Sequence, residues 1–251
     1  MNAILRAKEV TKIYEKAQHP SLDKISFSVA AGEFIGIMGA SGSGKTTLLN
    51  VLSTIDTPTS GEIWIDGVNL RHLNNTSAAD FRKDHLGFIF QEYFLLDSLT
   101  IRENISVPLT LQKLPPRQIE AMVQSLAERF GIASQLGKYP GELSGGQRQR
   151  ASAARAIVKQ PSILFADEPT GALDSSSAAE LLHALQEANQ QLHTTILMVT
   201  HDAYAASFAG RILIFKDGNI IREIFRNNAT RRDFYASITA EVARLDTERQ
   251  G

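Results

Sequence analysis

The stretch FIGIMGASGSGKTTLLNVL, running from Phe34 to Leu52, constrains this chain more than any other. It joins an apolar run to a loop of small residues, and the loop to a helix-compatible segment that opens at Lys45. An uninterrupted apolar run of this length predicts a strand covered on both faces. A strand that passes through a tight loop into a helix is half of a βα unit, and such units assemble parallel sheets between layers of helices. The alternation continues downstream. The segments LGFIFQ (86–91), SILFAD (162–167) and TTILMVTH (194–201) read as strands, with a helix around AAELLHALQEANQQL before the last of them. The expected fold class is therefore α/β.

The flanks differ from this core. Upstream, ISFSV (25–29) alternates apolar and polar residues as a half-buried strand does, and EIWIDG (62–67) is a strand closed by an Asp-Gly turn. Between the core strands lies a helical insert. Ile119, Met122, Val123, Leu126, Ala127 and Phe130 fall on one helical face, with Pro116 placed to start that helix and Gly131 to stop it. The segment RILIFKDGNIIREIF predicts a hairpin turning at Asp217-Gly218, and a short helix ends the chain. Arg226, Arg231 and Arg232 form a basic patch that reads most simply as solvated surface.

Composition removes several classes of function. A net charge of −1 gives no global field to draw the chain to nucleic acid or anionic lipid. The absence of cysteine excludes disulfides and thiolate metal sites and fits a reducing compartment. Neither a signal-peptide core nor a run of apolar residues long enough to span a bilayer is present, so a soluble, cytoplasmic chain is expected.

GASGSGKT, from Gly39 to Thr46, matches G-x-x-x-x-G-K-[ST] in the context the motif demands, after a strand and before a helix. Gly39, Ser41, Gly42, Ser43 and Gly44 allow backbone N–H groups to face phosphate oxygens, and the helix N-terminus at Lys45, Thr46 and Thr47 adds partial positive charge. Lys45 is expected to reach the β- and γ-phosphates of a nucleotide, and Thr46 to ligate Mg²⁺. Asp167 ends a buried strand, where a carboxylate requires a partner, and the same ion supplies one. Glu168 follows at the carboxyl edge of the sheet, where it can orient or deprotonate an attacking water. His201 and Gln91 end strands on the same edge; the Gln91 amide is of a type to meet the ion or the water. Each of these two, like Tyr14 near the N-terminus, carries little weight alone.

LSGGQRQR, from Leu143 to Arg150, is a second glycine-rich turn at a helix start. Ser144 and Gln147 form an S-x-x-Q capping box, which by itself explains a helix. The capping box does not require Gly145 and Gly146, whose missing side chains leave the helix N–H groups open to an anion. One triphosphate needs one cradle within a chain, so this turn is expected to serve a nucleotide held by a second copy.

Taken together and in order, the phosphate loop, LSGGQ, ILFADE, the ALD at 172–174 and His201 resemble the ATP-binding subunits of ABC transporters over nearly the whole chain. The resemblance implies a P-loop NTPase core carrying an antiparallel β-subdomain and an inserted α-helical subdomain at about 95–141, within a domain spanning 1–232 and followed by a helical extension at 233–251. It assigns Tyr14 to adenine stacking, Gln91 to the Q-loop, Asp174 to the D-loop and His201 to the γ-phosphate. The catalytic group is then Glu168, His201, Lys45 and Gln91, and the Mg²⁺ ligands are Thr46, Gln91 and Asp167. VLSTIDTPTSGEIWIDG, PTGALD and VTHD narrow the likeness to the macrolide-efflux and lipoprotein-release group. GFIFQEYFLLDSLTIRENISVPL and RRDFYASITAEVARL are similar to the bacitracin-type peptide-resistance ATPases. Those work with a separate membrane permease, often beside a sensor kinase. The implied partners are thus a second copy, stacked head to tail, and an integral permease that brings the chain to the inner face of the membrane. A soluble ABC ATPase acting on nucleic acid or ribosomes is the remoter alternative, disfavoured by the single cassette and the lack of basic surplus. A nucleotide-binding regulator without hydrolysis is disfavoured by Glu168 and His201 together.

Overall fold

The computed structural model describes residues 3–15 and 18–247. Two sheets organise it. The first is antiparallel, in the order β2-β1-β4-β5, built from β1 (Ala3–Lys12), β2 (Leu22–Ala30), β4 (Ser60–Ile65) and β5 (Val68–Asn69). The second has the order β10-β9-β3-β8-β7-β6. In it β3 (Phe34–Met38), β6 (Leu86–Ile89), β7 (Ile163–Asp167), β8 (Ile196–Thr200) and β9 (Arg211–Lys216) run parallel, and only β10 (Asn219–Phe225) is antiparallel.

The apolar runs follow from the layering. Along β3, Phe34 and Met38 enter one core cluster while Ile35 and Ile37 enter the other. Strands β7 and β8 divide in the same way: Leu164 and Met198 face one cluster, Phe165 and Leu197 the opposite one. Because successive strand residues point to opposite faces, a sheet buried on both sides needs apolar residues at every position. One face packs against α1 (Lys45–Leu52) and the antiparallel sheet, the other against the helical layer.

That layer contains α3 (Ile101–Leu111), α4 (Pro116–Arg129), α5 (Gly145–Ile157) and α6 (Ser175–Leu192); α2 (Asn75–His85) and α7 (Ala203–Ala206) are shorter. Helix α4 starts at Pro116 and is followed by Gly131 at φ +63°, matching the start and stop read from the sequence. Helices α2 and α3 carry no pattern that marks them. Helix α2 buries only Phe81, and α3, held by a Thr100–Glu103 capping box, contains Pro108 in its last turn.

One local expectation holds and two need correction. The alternation of ISFSV holds, with Ile25 and Val29 buried, Phe27 half-buried and Ser26 and Ser28 exposed; the pairing with β1 shifts register on either side of the Val10–Ile25 pair, where Glu9 and Lys24 take positive φ (+49° and +48°). The C-terminal helix α8 begins at Arg231 and runs to Thr247, and its Phe234 and Ile238 lie in the helical-layer core. Arg231 is not solvated surface. Its guanidinium sits 4.3 Å from the centroid of the Phe208 ring, also stacks on Tyr204, and approaches His183 Nε2 at 3.4 Å. The Tyr204 and Phe208 rings cover its guanidinium, which explains the difference. At Asp217-Gly218 the β9–β10 hairpin turns as expected, with both residues at positive φ (48° and 76°), the geometry of a type I′ turn.

Candidate active site

The loop after β3 and the N-terminus of α1 wall a cavity of about 650 Å³ at the carboxyl edge of the parallel sheet. It brings together Ser41, Gly42, Gly44, Lys45, Thr46 and Thr47 with Gln91, Glu168 and His201, joined from three further loops. Ser21, at the entry to β2, also lines it and carries no pattern that would mark it. Gly44 caps α1 at φ +105°, and a β-carbon there would lie 2.3 Å from the Ser21 carbonyl oxygen, so both conformation and space demand glycine. Gly39 contributes its carbonyl, and Ser43 is buried with its Oγ lacking a partner among the described residues.

The charged groups are set for an anion. Lys45 Nζ donates to the carbonyls of Gly39 (2.9 Å) and Ala40 (2.8 Å), which folds it over the loop it is meant to serve. Burial pulls its pKa below the usual lysine range, and the negative charges of Glu168 and Asp167 oppose that shift. Asp167 is pushed up from the usual carboxylate range by burial first and by neighbouring Glu168 second, while Lys45 counters. A carboxylate in that position gains from a nearby cation. The donor set of Thr46 hydroxyl, Gln91 amide and Asp167 carboxylate is the all-oxygen kind that suits Mg²⁺. Among the described residues no group of three acidic or histidine side chains is placed to hold a metal ion by itself.

Glu168 is held on two sides. Its backbone takes φ +46°, an uncommon conformation for a side chain of this type, and its N–H donates to Val199 O at 2.9 Å. Its Oε1 lies 2.9 Å from His201 Nδ1. Thus the strained turn after β7 and the end of β8 deliver a carboxylate and an imidazole to each other beside the phosphate loop.

The remaining sequence candidates lie elsewhere. Tyr14 is exposed, donates from its hydroxyl to Asp56 Oδ2 at 2.9 Å, and carries Lys12 Nζ 4.8 Å from its ring centroid; it does not line the cavity. Neither do Ser144, Gly145, Gly146, Gln147 and Asp174. The capping box is present: Ser144 Oγ accepts from Gln147 N at 3.3 Å, and Gln147 Oε1 accepts from Ser144 N at 3.0 Å. The glycines, however, are not simply open. A β-carbon on Gly146 would lie 2.5 Å from Ser177 Oγ and 2.7 Å from its Cβ, so its bareness lets the ends of α5 and α6 pack. Asp174 caps α6, accepting from the Ser176 and Ser177 hydroxyls and backbone N–H groups, and these bonds, the Ser176 hydroxyl foremost, hold its carboxyl far below the usual range. Ser144 itself remains exposed.

Comparison with known proteins agrees with this geometry. The sequence model of the ABC transporter family matches residues 22–171. The chain is 50% identical over 238 residues to the bacitracin export ATP-binding protein BceA of Halalkalibacterium halodurans, covering 94% of both. It is 42% identical to the macrolide export ATP-binding/permease protein MacB of Vibrio parahaemolyticus, covering 88% of this chain and 34% of that one. Its fold matches the dimeric post-hydrolysis state of the ATP-binding cassette MJ0796 bound to ADP and Pi, with a TM-score of 0.80 and 34% identity over 88% of this chain and 98% of the other. No described helix is long and apolar enough to cross a membrane. With its P-loop core, antiparallel β-sheet and helical insert, this chain is an ATP-binding, ATP-hydrolysing member of the ABC transporter family.

Proposed function

We propose that the chain is the motor subunit of a transporter whose permease is a separate polypeptide, and that the system handles antimicrobial peptides of the bacitracin kind. The observation that carries the motor reading is the Glu168–His201 pair set against the phosphate-loop cavity. The near-full-length likeness to a bacitracin export ATP-binding protein, against one-third coverage of a fused ATP-binding/permease protein, supports the separate permease and the peptide class.

In this reading ATP enters the cavity with its phosphates on the N–H groups of residues 41–47, and Lys45 exchanges its carbonyl contacts for phosphate oxygens. Thr46, Gln91 and Asp167 would hold Mg²⁺, which when bound supplies positive charge to the phosphates. Glu168 takes the proton of the attacking water as general base, while His201 orients its carboxylate and faces the γ-phosphate. The exposed Ser144 and the N-terminus of α5 complete the site of a second copy, and Asp174 lies at the junction behind them. Tyr14 receives the adenine once it is released from Asp56. The pair of subunits works at the inner face of the membrane, with the insert at about 95–141 passing closure to the permease, which a sensor kinase accompanies.

The decisive measurement is steady-state ATP hydrolysis by Glu168→Gln together with affinity capture of the permease. The variant should lose about 10²–10⁴-fold in turnover and accumulate as an ATP-bound dimer. Wild-type turnover in that variant would remove Glu168 as the base. Capture of ribosomes instead of a membrane permease would overturn the transport reading.

A further inference from the structure

Gln149 has no place in the site as drawn so far, yet it touches both sides of it. It lies on α5, little more than one turn beyond the Ser144 cap, and is fully buried. Its single Nε2 donates to two backbone carbonyls, Phe90 O at 2.9 Å and Pro169 O at 2.7 Å. Phe90 immediately precedes Gln91, and Pro169 immediately follows Glu168. The other end of the amide is unused among the described residues: Oε1 is buried and accepts no hydrogen bond from them. A residue retained for packing alone would be apolar here, because an orphaned buried acceptor is unfavourable.

The same face of α5 continues the grip. Ser152 Oγ donates to Tyr93 O at 2.9 Å, and Arg155 donates to Tyr93 O at 2.9 Å and Phe94 O at 2.5 Å. Positions 149, 152 and 155 are spaced by three, one stripe of a helix. Tyr93 and Phe94 are consecutive non-glycine residues at φ +43° and +46°, a conformation that persists only when its surroundings impose it. Helix α5 therefore imposes the backbone path of the Gln91 loop and, through Pro169, that of the strained turn carrying Glu168.

We infer that Gln149 is a positioning residue for hydrolysis, holding Gln91 and Glu168 in register with each other and with the Ser144 end of α5. Seating of that helix end on the nucleotide of the second copy then aligns the water-activating groups at the chain's own phosphate loop. The inference rests on the assignment of Glu168 as base and of α5 as the element that meets the second nucleotide.

Two substitutions test it. Gln149→Met keeps the length of the side chain and removes the donor. Gln149→Glu replaces the amide donor by a carboxyl group that donates only when protonated, and burial raises the pKa of such a group. At about pH 8 both variants should lose roughly 10–100-fold in kcat, while monomer affinity for a fluorescent ATP analogue stays near wild type; both should also melt lower, because the Phe90 and Pro169 carbonyls lose their donor. As the pH falls from about 8.5 to about 6, Gln149→Glu should regain activity relative to wild type and Gln149→Met should not. Wild-type kcat in both variants overturns the inference. So does a loss of kcat matched by an equal loss of ATP affinity, or an identical pH profile for the two. Glu168→Gln in the same assay separates the levels. If it is inactive while Gln149→Met is fully active, only the positioning role fails; if it is active, the assignment of the base fails first.

Discussion

His201 Nδ1 lies 2.9 Å from Glu168 Oε1, and this contact joins the ends of two adjacent parallel strands at the mouth of the phosphate-loop cavity. The imidazole is largely exposed and the carboxylate largely covered, so the histidine closes the open side of the glutamate. Replacing His201 by Ala frees the carboxylate and, in the proposed mechanism, removes the polar group that would face the γ-phosphate. Turnover should fall by about 10²-fold with ATP affinity nearly unchanged, because orientation is lost and the cradle is not. Equal effects on kcat and on nucleotide binding, in a steady-state assay paired with a fluorescence titration, would contradict that division.

Ser144 and Gly146 stand two residues apart in the same turn and should behave differently. Ser144 is exposed, and its hydroxyl serves the capping box. Ser144→Ala costs about 1 kcal/mol of helix capping, and it should lower hydrolysis far more than it lowers monomer ATP binding. Gly146→Ala drives a methyl group into Ser177, beside the Asp174 cap, and should lower the melting temperature as well as hydrolysis. Thermal melts of the two variants separate the roles. A stable Gly146→Ala protein would refute the packing account.

Lys159 makes stability depend on pH in the basic range. Lys159 Nζ caps the end of α2 by donating to the carbonyls of Arg82 (3.0 Å) and Lys83, and burial lowers its pKa to about 8. Between about pH 8 and the ordinary lysine value near 10.5 the folded chain binds fewer protons than the unfolded one, so this residue adds stability as pH rises. Relative to Lys159→Met, the wild type should gain roughly 1 kcal/mol from pH 7 to pH 10, allowing for solvent screening of a partly exposed group. Urea unfolding of both proteins at the two pH values measures it; a constant difference would show that the amine is charged throughout.

Arg231 and Arg232 are neighbours in sequence and opposites in environment. Arg231 stacks on Phe208 and Tyr204, whereas Arg232 is exposed. Arg231→Ala should cost about 1–2 kcal/mol and lower the melting temperature by about 2–8 °C. Arg232→Ala should stay within about 0.5 kcal/mol of wild type. Calorimetry on the pair decides whether Arg231 fastens α8 to the helical layer.

What the sequence determined by itself is whatever depends on the local backbone. The run Phe34–Met38 had to be a doubly covered strand because every position is apolar, and Gly44 had to be bare because the loop turns back at φ +105° onto the Lys45 helix. The Ser144–Gln147 box and the Asp217-Gly218 turn are likewise written within a few consecutive residues. The glycine loop, the strand-end acids and their order also name the family. Helices α2 and α3 were hidden because one buries a single large side chain and the other carries an internal proline. The tertiary structure alone decided which residues meet across the fold. It put His201 on Glu168, 33 positions away, and Ser177 against Gly146. It also gave Gln149 the carbonyls of a loop 59 residues upstream and of a turn 20 residues downstream. Such contacts are fixed by how strands are ordered and layers stacked, and sequence periodicity reports only which face of an element is buried, never what lies against it.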